Sequence, residues 1–88
     1  MKTITVAGER LTKADQRVLE QCFTRANAGL CTNPTRGERP HYARLARRGL
    51  IFHCGSSFGI PFYVPTLHGK GVAAALAAYK AEMRRRNW

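Results

Sequence analysis

The chain has 88 residues, 44% hydrophobic and 23% charged, which allows one domain with one modest core and excludes a disordered tail or a membrane protein. Fifteen Lys and Arg against five Asp and Glu give a formal net charge of +10, which repels itself in the compact state unless a polyanion compensates it. No apolar run approaches the ~20 residues of a spanning helix, and Met1–Val6 lacks the apolar stretch of a secretion signal, so a soluble, cytoplasmic protein with no membrane partner is expected.

In chain order, Thr3–Val6 has strand-forming residues ahead of Ala7-Gly8-Glu9 and reads as a short edge strand. Thr12 followed by Asp15 resembles a capping box, so the first helix starts there. From Lys13 to Ala26 the apolar Ala14, Val18, Leu19, Cys22, Phe23 and Ala26 fall on one face. Asn27-Ala28-Gly29 ends that helix, and a loose stretch from Leu30 to Arg39 follows, with one helical turn starting at Asn33-Pro34.

A second amphipathic helix is predicted from Pro40 to Gly49, with Leu50 folding back as the closing hydrophobic contact. Tyr42, Leu45 and Ala46 share one side of it, while His41, Arg44, Arg47 and Arg48 form a charged stripe on the other. Ile51–Cys54 and Ile60–Val64 flank Gly55-Ser56-Ser57-Phe58-Gly59 as a hairpin, with Pro61 confining its strand to an edge or a bulge. The run from Lys70 to Arg86 is the longest helix, with Val72, Leu76, Tyr79 and Met83 along one narrow stripe and a basic end at Arg84-Arg85-Arg86. The whole chain, 1–88, is one domain with its core at about 11–83, and it shows no repeat or linker.

The order of helix, short basic helix, hairpin and long helix is that of an α+β winged helix-turn-helix. Leu45-Ala46-Arg47-Arg48-Gly49-Leu50-Ile51, then Tyr63-Val64-Pro65-Thr66 and Gly69, resemble the recognition helix, wing and following helix of MarR- and PadR-like regulators and of small phage-type winged-helix proteins. The resemblance covers Lys13 to about Met83. It implies a helix in the major groove of double-stranded DNA, with Arg44, Arg47 and Arg48 against it, and a homodimer contact that uses part of the Val72, Leu76, Tyr79, Met83 seam. This hairpin carries no Lys or Arg, so backbone contacts are expected from the helix, Arg36, Arg39, His41 and the basic C-terminal end. Arginine suits the role, because its planar fork pairs bidentately with phosphate or with guanine.

Cys22, Cys31 and Cys54 are odd in number and widely spaced, so free thiols are expected rather than a disulfide framework. With no Cys-x-x-Cys pair and Cys22 on the buried helix face, no metal or other cofactor is expected. Strand alternation puts His53 and Cys54 on opposite faces, and no acid pair or phosphate-binding glycine motif occurs, so the chain is not expected to be an enzyme.

The expected function is a sequence-specific, DNA-binding transcriptional regulator. The alternative is a phage-encoded inhibitor or adaptor that binds a host protein complex through the same scaffold, since the uncharged, aromatic-bearing hairpin suits a protein surface. A third reading, RNA binding, would stack bases on Phe58 with Phe52, Phe62 and Tyr63.

Overall fold

Ala7 and Gly8 both adopt positive φ, 50° and 80°, the geometry of a two-residue hairpin turn. In the computed structural model, which describes residues 3–86, that turn joins β1 (Ile4–Val6) to β2 (Glu9–Leu11) in antiparallel register. The predicted edge strand therefore has a partner, which the sequence reading left out. Met1 and Lys2, the first residues of the segment read for a secretion signal, lie outside the described residues.

The first helix, α1 (Lys13–Asn27), starts at the predicted capping box: Asp15 N–H donates to the Thr12 hydroxyl and Thr12 N–H to the Asp15 carboxylate. It ends in a Schellman closure. Gly29 has φ 80°, its N–H reaches the Ala26 carbonyl, and the Leu30 N–H reaches that of Arg25. The stretch after it is tied down at one point, where Thr32 and Tyr63 exchange both backbone hydrogen bonds at 2.8 Å. One turn of 3-10 helix, Arg36–Glu38, then leads directly into α2 (Arg39–Arg47). The helical turn expected at Asn33-Pro34 thus begins after Thr35, whose N–H and hydroxyl both reach the Glu38 carboxylate.

The second hairpin pairs β3 (Ile51–Ser57) with β4 (Ile60–Pro65). Its turn is only Phe58-Gly59, both at positive φ (52° and 75°), so strand structure runs through residues expected to be loop. A register shift between His53 and Gly55 makes Cys54 the extra residue of a β-bulge. The last helix, α3 (Leu67–Arg86), begins earlier than its apolar stripe predicts, because the Thr66 hydroxyl caps it by accepting from Gly69 N–H at 2.9 Å.

The core gathers Leu11, Leu19, Tyr42, Leu45, Leu50 and Leu76, all fully buried, from the first hairpin, the three α-helices and the turn after α2. The architecture is α+β, with three α-helices and two antiparallel hairpins among the described residues. No helix in that range is long and apolar enough to cross a membrane. The molecule measures 47 × 25 × 21 Å, and α3, at 20 residues its longest helix, is ~30 Å long at 1.5 Å per residue.

Candidate nucleic-acid interface

Two features of the sequence hold α2 in place. Pro40 sits in the first turn, where its missing N–H costs nothing. At the other end Gly49 (φ 78°) and Leu50 donate to the Ala46 and Leu45 carbonyls, closing the helix and turning the fully buried Leu50 into the core as predicted. The inner face is anchored by Leu45 and by Tyr42, whose ring lies 5.3 Å from that of Tyr63 and whose hydroxyl donates to Gln21 at 3.2 Å. With about 100° of rotation per residue, burying Tyr42 and Leu45 turns the exposed Pro40 and Arg47 outward and leaves Ala43 half-buried beside them, while Arg36 is exposed on the preceding 3-10 turn.

The charged stripe read from the sequence is divided by its partners. Arg47 is exposed and Arg36 is exposed, and neither forms an ion pair among the described residues. Arg44 instead folds back to the carboxylate of Asp15, with a second contact to His41 Nδ1 at 3.1 Å. Arg48 reaches Glu9 at 3.0 Å, Asp15 at 3.4 Å and the Arg10 carbonyl at 2.7 Å. These two arginines are internal ties first, although Arg44 keeps 41% of its side chain exposed. Arg39 is half-buried, with Nε covered and without a hydrogen-bond partner.

Asp15 is the residue that sequence reasoning undervalued. The helix cap is only part of its role, since its side chain is 3% exposed and also receives both arginines. Burial would raise its pKa, but hydrogen bonds from Arg44 and Thr12 outweigh that and hold its carboxyl below the ordinary 3.8. A signal was present: Asp15 stands three residues before Val18, on the apolar face of an amphipathic helix, where a lone acid requires a cation.

Glu9 is likewise held below its ordinary range by hydrogen bonds from His68 and then Arg48. Of the remaining acids, Glu20 binds Lys80 at 2.8 Å, Glu82 pairs with Arg85 and Arg86, and Glu38 closes the cap at Thr35. All five acids of the chain are therefore engaged internally. Arg10, Lys13, Arg17, Arg36, Arg39, Arg47, Lys70 and Arg84 form no ion pair among the described residues.

The other predicted positions separate as follows. Val72 and Leu76 are buried in the core of the single chain, whereas Tyr79 is 38% exposed and Met83 half-buried, so the seam runs out of the core halfway along α3. The bulge interrupts the alternation assumed between His53 and Cys54; His53 Nε2 lies 3.2 Å from the Ser56 hydroxyl, and Cys54 meets Cys31 instead. The hairpin tip is apolar and open, with Phe58 fully exposed and Phe52 58% exposed.

No group of three or more His, Cys, Asp or Glu among the described residues is arranged to hold a metal ion. Compared with known proteins, the chain matches no protein-family description, no curated protein and no solved structure.

Proposed function

We propose that this chain is a small winged-helix transcriptional regulator that binds duplex DNA sequence-specifically, laying the outward ridge of α2 in the major groove. The observation that carries this reading is the make-up of that ridge. Arg36 and Arg47 are exposed and form no ion pair among the described residues, and Pro40 and Ala43, between them in the chain, have short side chains that allow a helix to approach a groove closely. Arg44 keeps exposed surface beside them. Four of the five acids are ion-paired and Glu38 caps Thr35, so unpaired cations outnumber unpaired acids and leave the surface positive, the condition for phosphate binding.

The order of elements supports the scaffold: α1, a bridge at Thr32, α2, the β3–β4 hairpin and then α3. The experiment is a titration of labelled random-sequence duplex DNA at two salt concentrations. Each neutralised phosphate steepens the fall of log K with log salt by about 0.9, so steep salt dependence supports the reading and selection from a sequence library then tests specificity. No binding at low salt would sink it.

A second reading, a protein-binding inhibitor or adaptor, is favoured by one specific observation. Phe58 holds a bulky side chain at φ 52°, fully exposed, in a hairpin without cations. That conformation is unfavourable by roughly 1–2 kcal/mol for an L-residue, and an apolar tip kept there suits insertion into a partner's pocket. Stoichiometric co-purification of one protein, lost in Phe58→Asn, would decide for it.

A further inference from the structure

The three cysteines are not equivalent. Cys22 is buried, and burial pushes its thiol up to about 11, which keeps it protonated and inert. Cys31 and Cys54 are both exposed, and their sulfurs lie 3.7 Å apart, although 23 residues separate them in the chain.

Two backbone features bring them together. The Thr32–Tyr63 bridge pins the residue after Cys31 against β4, and the β-bulge makes Cys54 the extra residue of β3. A third contact, Cys54 Sγ to the Phe62 carbonyl at 3.5 Å, and a fourth, Arg25 Nε to the Cys31 carbonyl at 3.2 Å, fix the two ends of the pair.

We propose that Cys31 and Cys54 are a dithiol modification site, which a hydroperoxide oxidises to an intrachain disulfide joining the loop ahead of α2 to β3. The single Cys54 proton has two acceptors in reach, the Phe62 carbonyl and the Cys31 sulfur, and burial together with the Cys31 contact pushes the Cys54 thiol up, so Cys31 is the attacking atom. Its sulfur, as thiolate, attacks one peroxide oxygen; the O–O bond breaks, and the departing hydroxide takes up a proton to become water. Cys31 is then a sulfenic acid, oxidised by two electrons.

The Cys54 sulfur next attacks the Cys31 sulfur, the S–O bond breaks, and a second water leaves with the remaining protons. In sum, two thiols and one hydroperoxide give one disulfide and two waters when the oxidant is hydrogen peroxide. The sulfurs must close from 3.7 Å to about 2.05 Å. The exposed Cys31 side supplies that movement, since the loop around it is joined to β4 by one bridge, Thr32–Tyr63, among the described residues.

This site stands independently of the nucleic-acid reading. The test is to treat the dilute reduced protein with a small excess of hydrogen peroxide, then measure intact mass, titratable thiols and peptide linkage. The expected result is a monomer lighter by about 2 Da, the two hydrogens lost in disulfide formation, with thiols falling from three to one and a Cys31–Cys54 linked peptide. In Cys54→Ser the sulfenic acid on Cys31 has no resolving thiol, so a sulfenic-acid trap should label it there and label the wild type far less. Retention of all three thiols, oxygen addition without a linked peptide, or linkage only between chains would each overturn the proposal.

Discussion

Replacing Gly69 by alanine tests how closely α3 is seated on the rest of the chain. A Cβ built on Gly69 would lie 1.7 Å from the Leu50 carbonyl oxygen and 2.8 Å from its carbonyl carbon. Both are backbone atoms, and the backbone there is held from two sides: the Leu50 N–H donates to Leu45 at 3.1 Å, and the Leu50 carbonyl accepts from the Thr66 N–H at 3.1 Å. Relief therefore requires α3 itself to retreat by about 1.5 Å, the shortfall from ordinary C···O contact, which loosens Val72, Ala73 and Leu76 in the core. Overpacking of this kind costs about 1–3 kcal/mol or more, against which alanine returns about 1 kcal/mol of helix propensity. The rigid neighbour points to the upper end, a net loss of about 2–3 kcal/mol, or about 8–24 °C in Tm for a domain this size. Gly71, two residues on in the same helix, is exposed, and its added Cβ would meet nothing within 4 Å. Gly71→Ala should instead raise Tm by about 2–8 °C, from the 0.5–1 kcal/mol that alanine gains over glycine in a helix. Thermal and urea unfolding of both variants gives the comparison. Equal shifts of one sign for the two would refute the close-approach argument.

The divided arginine stripe predicts that Arg47→Ala and Arg36→Ala leave Tm within experimental error while weakening duplex binding, each lowering the salt slope by about 1 if it contacts a phosphate. Arg44→Ala should first lower stability by about 1–2 kcal/mol, less than a fully buried pair would lose because this arginine is partly exposed; unchanged unfolding would mean the Asp15 contact contributes little. Because Asp15 and Glu9 titrate below their ordinary 3.8 and 4.5 in the folded chain, the stability they add is present above those values and is lost as pH falls through the lowered ones. Asp15→Asn should therefore melt well below the wild type at pH 6, and the gap should narrow below about pH 4; a constant gap would contradict the assignment. Phe58→Asn, which suits positive φ in a two-residue turn, should raise Tm by a few degrees, about 0.5–1 kcal/mol, and a fall would show that the phenyl ring is held by packing.

Helix boundaries set by local chemistry were readable in the sequence. Thr12 with Asp15, and Gly49 with Leu50, satisfy backbone groups within a few residues of themselves, so their identity and spacing carry the information. The second strand of the first hairpin was not readable, because Glu9-Arg10-Leu11 has little strand character and is held by the Ala7-Gly8 turn and by burial of Leu11. The two-residue turn at Phe58-Gly59 was hidden for the opposite reason: a phenylalanine is a poor candidate for positive φ, and the five-residue stretch ending there has the composition of a loop. The sequence located the helix that carries Arg44 and Arg47 and the face, with Tyr42 and Leu45, that it buries. It could not show which arginines face inward, since Arg44 finds Asp15 across 29 residues and Arg48 finds Glu9 across 39. The Cys31–Cys54 approach was invisible for the same reason, being produced by a bulge and a single bridge rather than by any local pattern.

Arg48 touches Glu9, the Arg10 carbonyl and Asp15 together, which makes it a strut between α2 and the first hairpin. α2 is therefore held at two places: to α1 through Arg44–Asp15 and Tyr42–Gln21, and at its C-terminal end to the first hairpin through Arg48. A change in the length or twist of the Ala7-Gly8 turn would move Glu9 and the Arg10 carbonyl, and with them the anchor of Arg48, without altering any residue of α2. The β1–β2 hairpin is in this sense a mount for one end of α2, and under the proposed DNA-binding function variants with altered binding should be sought there as well as on α2.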